Sequence, residues 1–177
     1  SRAGFFKHMD VMPPRIVLVL IVPTAAIVFL ALYKPVGRIL DEMPFGWFIY
    51  PQVFRVVVEI VLWQLHRSGD APVQMSFEGY NFVILAGLTA PLIAFIAFGQ
   101  GRTMKWLAIV WNFIGTGLLL TIIGIAIASM PVIGAFEEPN AFIPWFPFIW
   151  LPGFVAPFAL FLHVMSLRQL FRSLKRP

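Results

Sequence analysis

Four apolar runs, each close to the length of a bilayer crossing, constrain this chain more than any other feature. A spanning helix needs about 20 predominantly apolar residues. Residues 16–33 (IVLVLIVPTAAIVFLALY), 82–98 (FVILAGLTAPLIAFIAF), 106–128 (WLAIVWNFIGTGLLLTIIGIAIA) and 145–167 are read as spans on that ground. Composition agrees: 60% of the 177 residues are hydrophobic and 12% are charged, with a mean hydropathy of +0.88. A soluble domain carries about 25% charged residues, and one of this length could not bury so much apolar surface. A soluble enzyme, a disordered regulator and a nucleic-acid-binding domain are therefore excluded. With no cysteine there is no disulfide or thiolate framework. The net charge of +5 is read as basic flanks and ends of membrane helices, not as a nucleic-acid footprint.

A fifth segment, 47–66 (WFIYPQVFRVVVEIVLWQLH), is less apolar. On a helix, Gln52, Arg55, Glu59 and His66 share one narrow stripe, while Val53, Val56, Val57 and Ile60 cover other faces. Either the segment spans with its stripe turned into the bundle, where Arg55 and Glu59 at i, i+4 neutralise each other, or it lies in the interface as an amphipathic helix. Five spans put Lys34, Arg38, Arg102, Lys105, Arg168, Arg172, Lys175 and Arg176 inside, against Arg2, Lys7, Arg15 and Arg67 outside. Four spans give nine basic residues inside against four, slightly better by the positive-inside rule. The expectation is thus an all-α, polytopic transmembrane bundle forming a single integral membrane domain over 1–177. It has four spans plus one amphipathic or re-entrant helix, with five spans as the alternative.

Orientation of the C-terminal half is independent of that choice. The basic tail RQLFRSLKRP is expected in the cytoplasm, the GQGRTMK turn with it, and the 67–81 and 129–144 loops outside. The first span is read as an uncleaved anchor, because no A-x-A pattern follows it. No lipidation motif is present.

Small residues suggest how the helices meet. Ala86, Ala90 and Ala94 recur every four residues, as do Gly117 with Thr121 and Gly124 with Ala128. Such stripes let backbones approach closely and are expected to pack within the chain. In the last span Pro152 and Pro157 should each free a carbonyl and bend the helix. Trp145 and Trp150 mark a headgroup-level belt.

Chemistry has few candidates. Of the three histidines, His8, His66 and His163, the last two fall near opposite faces, which argues against a shared haem or metal. His163 alone is read as a packed histidine, with a single axial ligand to a haem or pigment as the sharper alternative; no cofactor and no metal are predicted. His66, Arg67, Asp70, Glu78 and Asn81 occupy one outside loop, and Glu137, Glu138 and Asn140 the other. Convergence of the two loops would set carboxylates beside an imidazole, an arrangement suited to acid–base work. The plainer reading is a solvated loop pair with Glu78 capping the next helix. No Gly-x-Ser-x-Gly nucleophile motif or P-loop occurs. Ion pumping is weakly supported, since the clean spans hold no mid-depth charge.

Two stretches, PVQMSFEGYNFVILAGLTAP (72–91) and WFPFIWLPGFVAPFALFLHVMSLRQL (145–170), resemble a family of small uncharacterised bacterial integral membrane proteins. The resemblance rests on Met75, Phe77, Glu78, Gly79, Asn81 and Phe82, on Gly87 to Pro91, and on His163 with Ser166 to Leu170. Tyr80 stands where Arg is usual in that family, and Val83 where Asp is usual. It implies a bacterial cytoplasmic membrane and no particular activity.

The functional expectation is a small non-enzymatic membrane protein, acting as a partner subunit or a lipid-binding or scaffolding unit. Its partners are membrane lipids and a membrane protein or a second copy, and its working surface the outward polar loops. The alternatives are a membrane-embedded enzyme on a lipid or isoprenoid, with Glu59 or Glu78 as acid–base and His66 assisting, and a pigment-binding subunit using His163.

Overall fold

A computed structural model describes residues 16–175; His8, Arg2, Lys7, Arg15 and Arg176, invoked above, lie outside the described residues. Within them the chain forms six α-helices and no strand: α1 (Val17–Leu32), α2 (Lys34–Glu42), α3 (Phe54–Arg67), α4 (Val83–Phe98), α5 (Lys105–Ala128) and α6 (Ala156–Leu174). Two 3-10 turns, Phe45–Phe48 and Tyr50–Val53, extend α3 backwards into one helical run, Phe45–Arg67. A π-helical turn, Leu151–Val155, leads into α6. Four helices are long and apolar enough to cross a membrane, and the α1–α2 pair, bent by 75°, raises that number to five.

The ends of the bundle follow from who packs on whom. Ile16, Leu62, Met75, Met130, Phe142 and Ile143 cluster at one end, with the 68–81 and 129–150 connections; this is the loop end. At the other, Leu40 and Phe48 pack with Leu162 and Met165, near the C-terminus of α6; this is the tail end. α1 starts among the loop-end residues and finishes where Arg168 of α6 donates to the Leu30 and Tyr33 carbonyls at 2.7 and 2.8 Å. It therefore traverses the bundle alongside α6, over about 24 Å at 1.5 Å per residue.

These placements sharpen the sequence reading. The uncertain 47–66 segment is one of the four long helices, and the amphipathic element is α2, which lies at the tail end. Tyr33 is extended (φ −68°, ψ 116°) and Pro35 sits in the first turn of α2, so the helix restarts in a new direction. Arg172 then clasps Asp41 at 2.7 Å, and Gln169 donates to the Leu40 and Met43 carbonyls. The last span also moves. The chain from 145 to 150 runs in turns, and the long helix is Leu151–Leu174. Pro144, Pro147 and Pro152 deny the earlier residues a regular start, while α1 and α2 supply partners for Arg168, Gln169 and Arg172 further on.

Side-chain size is distributed as lipid solvent demands. α4 buries Ala86, Ala90, Ala94 and Ala97 and turns Leu85, Leu88, Leu92 and Phe95 outward. The alanine stripe thus packs within the chain, as expected for helices whose association depends on close backbone approach. The second stripe does not. Gly117, Thr121 and Gly124 are exposed, and a Cβ added at either glycine would meet nothing within 4 Å. The close approach on α5 is made instead by Gly115, whose added Cβ would strike the His163 ring.

Candidate functional site

The stripe on α3 faces inward. Gln52, Arg55 and Glu59 are each at most 2% exposed, so two formally charged groups and an amide sit inside an apolar bundle. Such groups are costly in a membrane and need partners. Gln52 donates to the Ala159 carbonyl of α6 at 3.2 Å. Arg55 Nη1 lies 3.1 Å from His163 Nε2, also on α6. His163 Nδ1 lies 2.9 Å from Asn112 Oδ1 on α5. Asn112 Nδ2 donates to Ser166 Oγ at 2.9 Å and to the Ala108 carbonyl at 2.8 Å. Guanidinium nitrogens only donate, so His163 accepts at Nε2 and carries its proton on Nδ1. Trp111 packs its ring 5.4 Å from the imidazole, and Gly115 lets the backbone of α5 reach it. One network thereby joins three helices.

Arg55 and Glu59 do not close on each other, since no nitrogen–oxygen pair between them comes within 4.0 Å. Glu59 instead has the Asn81 amide as its polar neighbour and feels the charge of Arg55 at longer range. Asn81 also donates to the Met75 carbonyl at 3.0 Å and accepts from Val83 N at 3.3 Å. It is Asn81, not Glu78, that receives a first-turn amide of α4. The pair thus acts through its opposite charges without a contact ion pair, and each residue keeps one unpaired atom. Arg55 Nη2 and Glu59 Oε2 are buried without a hydrogen-bond partner.

Both residues line a cavity of about 120 Å³ between α1, α3, α5 and the π turn. Its walls are aliphatic, with Leu20, Val58, Leu119, Ile123 and Val155 among them. Polar residues enter only through Arg55, Glu59, Asn81 and Asn140. Asn140 comes from the 129–144 connection; its Nδ2 reaches the Ala126 carbonyl at 3.4 Å, and its Oδ1 is a third buried atom without a partner. α1 packs on α6 and the π turn but makes no comparable packing against α3 or α5.

The loop pair is built differently. His66 and Glu78 do approach, at 3.7 Å, but on a surface where their side chains are 24% and 40% exposed. Glu78 also accepts from Trp63 Nε1 at 2.8 Å, and His66 Nδ1 lies 3.2 Å from the Ala71 carbonyl. The two connections meet through Gln74, which donates to the Glu138 carbonyl at 2.7 Å and to Ser129 Oγ at 3.3 Å. The Tyr80 and Phe136 rings add a contact at 6.2 Å. The Glu137 and Glu138 residues themselves are exposed. The convergence gathers backbone and amides rather than carboxylates around an imidazole. Gly79 is required here, because a Cβ would collide with the Val73 carbonyl.

Of the expected site residues, the fold thus gathers Arg55, Glu59 and Asn81 at the cavity and sets His163 behind Arg55. His66 and Glu78 lie at the loop end and Glu137 and Glu138 outside it. Both His163 nitrogens are engaged, so axial ligation would require displacing Arg55 or Asn112. His66 is nearer His163 than expected, since α3 rises only about 16 Å from Arg55 to His66. Among the described residues no group of three or more His, Asp or Glu is placed to hold a metal ion. Ser166 is the member that the sequence reading does not place in the site. Ser166 follows His163 by three residues and therefore shares its helix face. No protein-family model, curated protein or solved structure matches the chain.

Proposed function

We propose that this protein is a non-enzymatic membrane protein that binds one amphipathic, lipid-like molecule inside its bundle. One observation carries the reading: the bundle holds a cavity of about 120 Å³ whose lining is apolar except for Arg55, Glu59, Asn81 and Asn140. Those four residues give the cavity a polar side against which a polar head can lie. The aliphatic walls suit the tail. Mass spectrometry of the lipid extracted from protein purified in mild detergent tests this. The expected result is one species near one per chain and enriched over the bulk membrane. An extract with the composition of the surrounding bilayer would refute it.

The proposal includes an orientation. Lys34, Arg38, Arg102, Lys105, Arg168, Arg172 and Lys175 gather at the tail end, and Asp70, Glu78, Glu137 and Glu138 with Arg67 at the loop end. By the positive-inside rule the tail end faces the cytoplasm. A bacterial inner membrane is the setting implied by the resemblance noted above. The chain has no cysteine, so single substitutions report cleanly. Arg38→Cys should resist an impermeant thiol reagent in intact cells while Glu137→Cys reacts; the reverse pattern would overturn the orientation.

A further inference from the structure

The charges of α2 run in the order that its own dipole disfavours. Lys34 and Arg38 lie in its N-terminal half, and Asp41 and Glu42 end it, whereas acids in the first turn and bases in the last stabilise a helix. Helix stability therefore does not account for the pattern, and partners outside the helix have to. For Asp41 the partner is in the chain: Arg172 donates to both carboxylate oxygens, at 2.7 and 3.2 Å. Gly37 makes the room, since a Cβ there would fall 2.8 Å from Arg172 Cζ and 3.2 Å from Arg168 Nη2. Two guanidiniums thus lie against α2, and with Lys34 and Arg38 they outnumber the carboxylates of Asp41 and Glu42. Lys34 and Arg38 are exposed, and among the described residues neither makes an ion pair. The excess positive charge stands at the surface without a counter-charge.

The rest of the helix indicates what meets those cations. At 100° per residue Lys34 and Arg38 share one strip, Pro35 and Ile39 the strip beside it, and Gly37 and Leu40 the side packed on the bundle. Ile39 is 60% exposed, a bare aliphatic group next to two cations, which suits the boundary between headgroups and acyl chains. The level agrees. Tyr33, Trp47 and Trp106 are exposed at the tail-side ends of α1, the Phe45–Arg67 helix and α5, and such rings mark the headgroup zone. The 75° bend turns α2 away from the axis of α1 at that depth. A phospholipid offers both parts, a phosphate for the cations and a chain for Ile39. A free phosphate would leave Ile39 uncovered.

We infer that the outer face of α2 is a docking surface for anionic phospholipid of the tail-side leaflet, with the phosphate at Lys34 and Arg38 and an acyl chain against Ile39. This surface is separate from the cavity and does not depend on the cavity's occupant. Each basic residue near an anionic lipid surface is worth about fivefold in association, so two of them enrich such lipids well above their share of the bilayer.

The test places an apolar fluorescent label on Ile39→Cys in the otherwise cysteine-free full chain, in phosphatidylcholine nanodiscs. Brominated phosphatidylglycerol should quench the label at least about threefold more than the same fraction of brominated phosphatidylcholine. Lys34→Gln with Arg38→Gln should bring that ratio close to one. The charge-retaining pair Lys34→Arg with Arg38→Lys should keep it, and so should Arg102→Gln, which removes a cation from the exposed turn before α5. A ratio near one in the labelled protein with both cations present would overturn the proposal, because the face would then meet bulk lipid or another protein. A ratio that falls as far with Arg102→Gln as with the double glutamine variant would overturn it too, since the preference would belong to the whole basic end and not to α2.

Discussion

A surface pair and a buried cluster of ionisable groups lie at different depths of the protein, and they obey different rules. At the loop end, His66 and Glu78 sit 3.7 Å apart, partly exposed, each with an additional partner. In the bundle, Arg55, Glu59 and His163 are almost fully buried, and two atoms of that set have no partner. The loop pair has the look of acid–base machinery, yet water screens it and a lost contact is readily replaced. The inner cluster has no such recourse. The difference teaches that, in a bundle like this, the residue types that suggest chemistry matter less than whether solvent can stand in for their partners.

The strongest way to break that contrast is Arg55→Leu. The substitution removes the donor to His163 Nε2 and leaves Glu59 as an uncompensated buried group. Removing one partner from a buried charged set costs about 3–5 kcal/mol. Reversible unfolding in mixed micelles should show a loss of that order, and a loss below about 1 kcal/mol would mean that water reaches the cluster. The paired change Arg55→Leu with Glu59→Leu sharpens the point. The double variant removes the uncompensated carboxylate and should regain part of the stability lost in the single one, the remainder reflecting His163 Nε2, which still lacks its donor.

Much of this arrangement was legible in the sequence, and the rest was hidden for identifiable reasons. The inward stripe of Gln52, Arg55 and Glu59 follows from a 100° turn per residue, which holds wherever the helix lies. The alanine stripe of α4 was readable for the same reason. Three features depend on distant parts of the chain. The Arg55–His163 contact joins residues 108 apart, and a span taken as 145–167 sets His163 near its end, away from Arg55. Beginning the helix at 151 instead moves His163 to its middle, level with Arg55. The bend after α1 was also obscured, since the groups that stabilise it, Arg168 and Arg172, lie at the other end of the sequence. The small residues of α5 illustrate the same limit. Gly115, Gly117 and Gly124 look alike as a string, yet only Gly115 faces a neighbour.

The smallest expected effect belongs to Glu78→Gln, and it is the change that tests the surface half of the contrast. Glutamine keeps an oxygen to accept from Trp63 Nε1 and loses only the charge facing His66. An exposed ion pair contributes about 0–1 kcal/mol, here between side chains already 24% and 40% exposed. The connection between the two loops does not run through this pair. It runs through Gln74, which is 3% exposed and reaches across to Glu138 and Ser129, and the substitution leaves that bridge intact. Stability in micelles should therefore change by less than about 1 kcal/mol, and the lipid proposed for the cavity should be retained. A loss above about 2 kcal/mol, or release of the lipid, would mean that the loop pair closes the cavity as a desolvated cover. Glu78 would then belong with the inner cluster, and the boundary between the two regions would have to be drawn outside it.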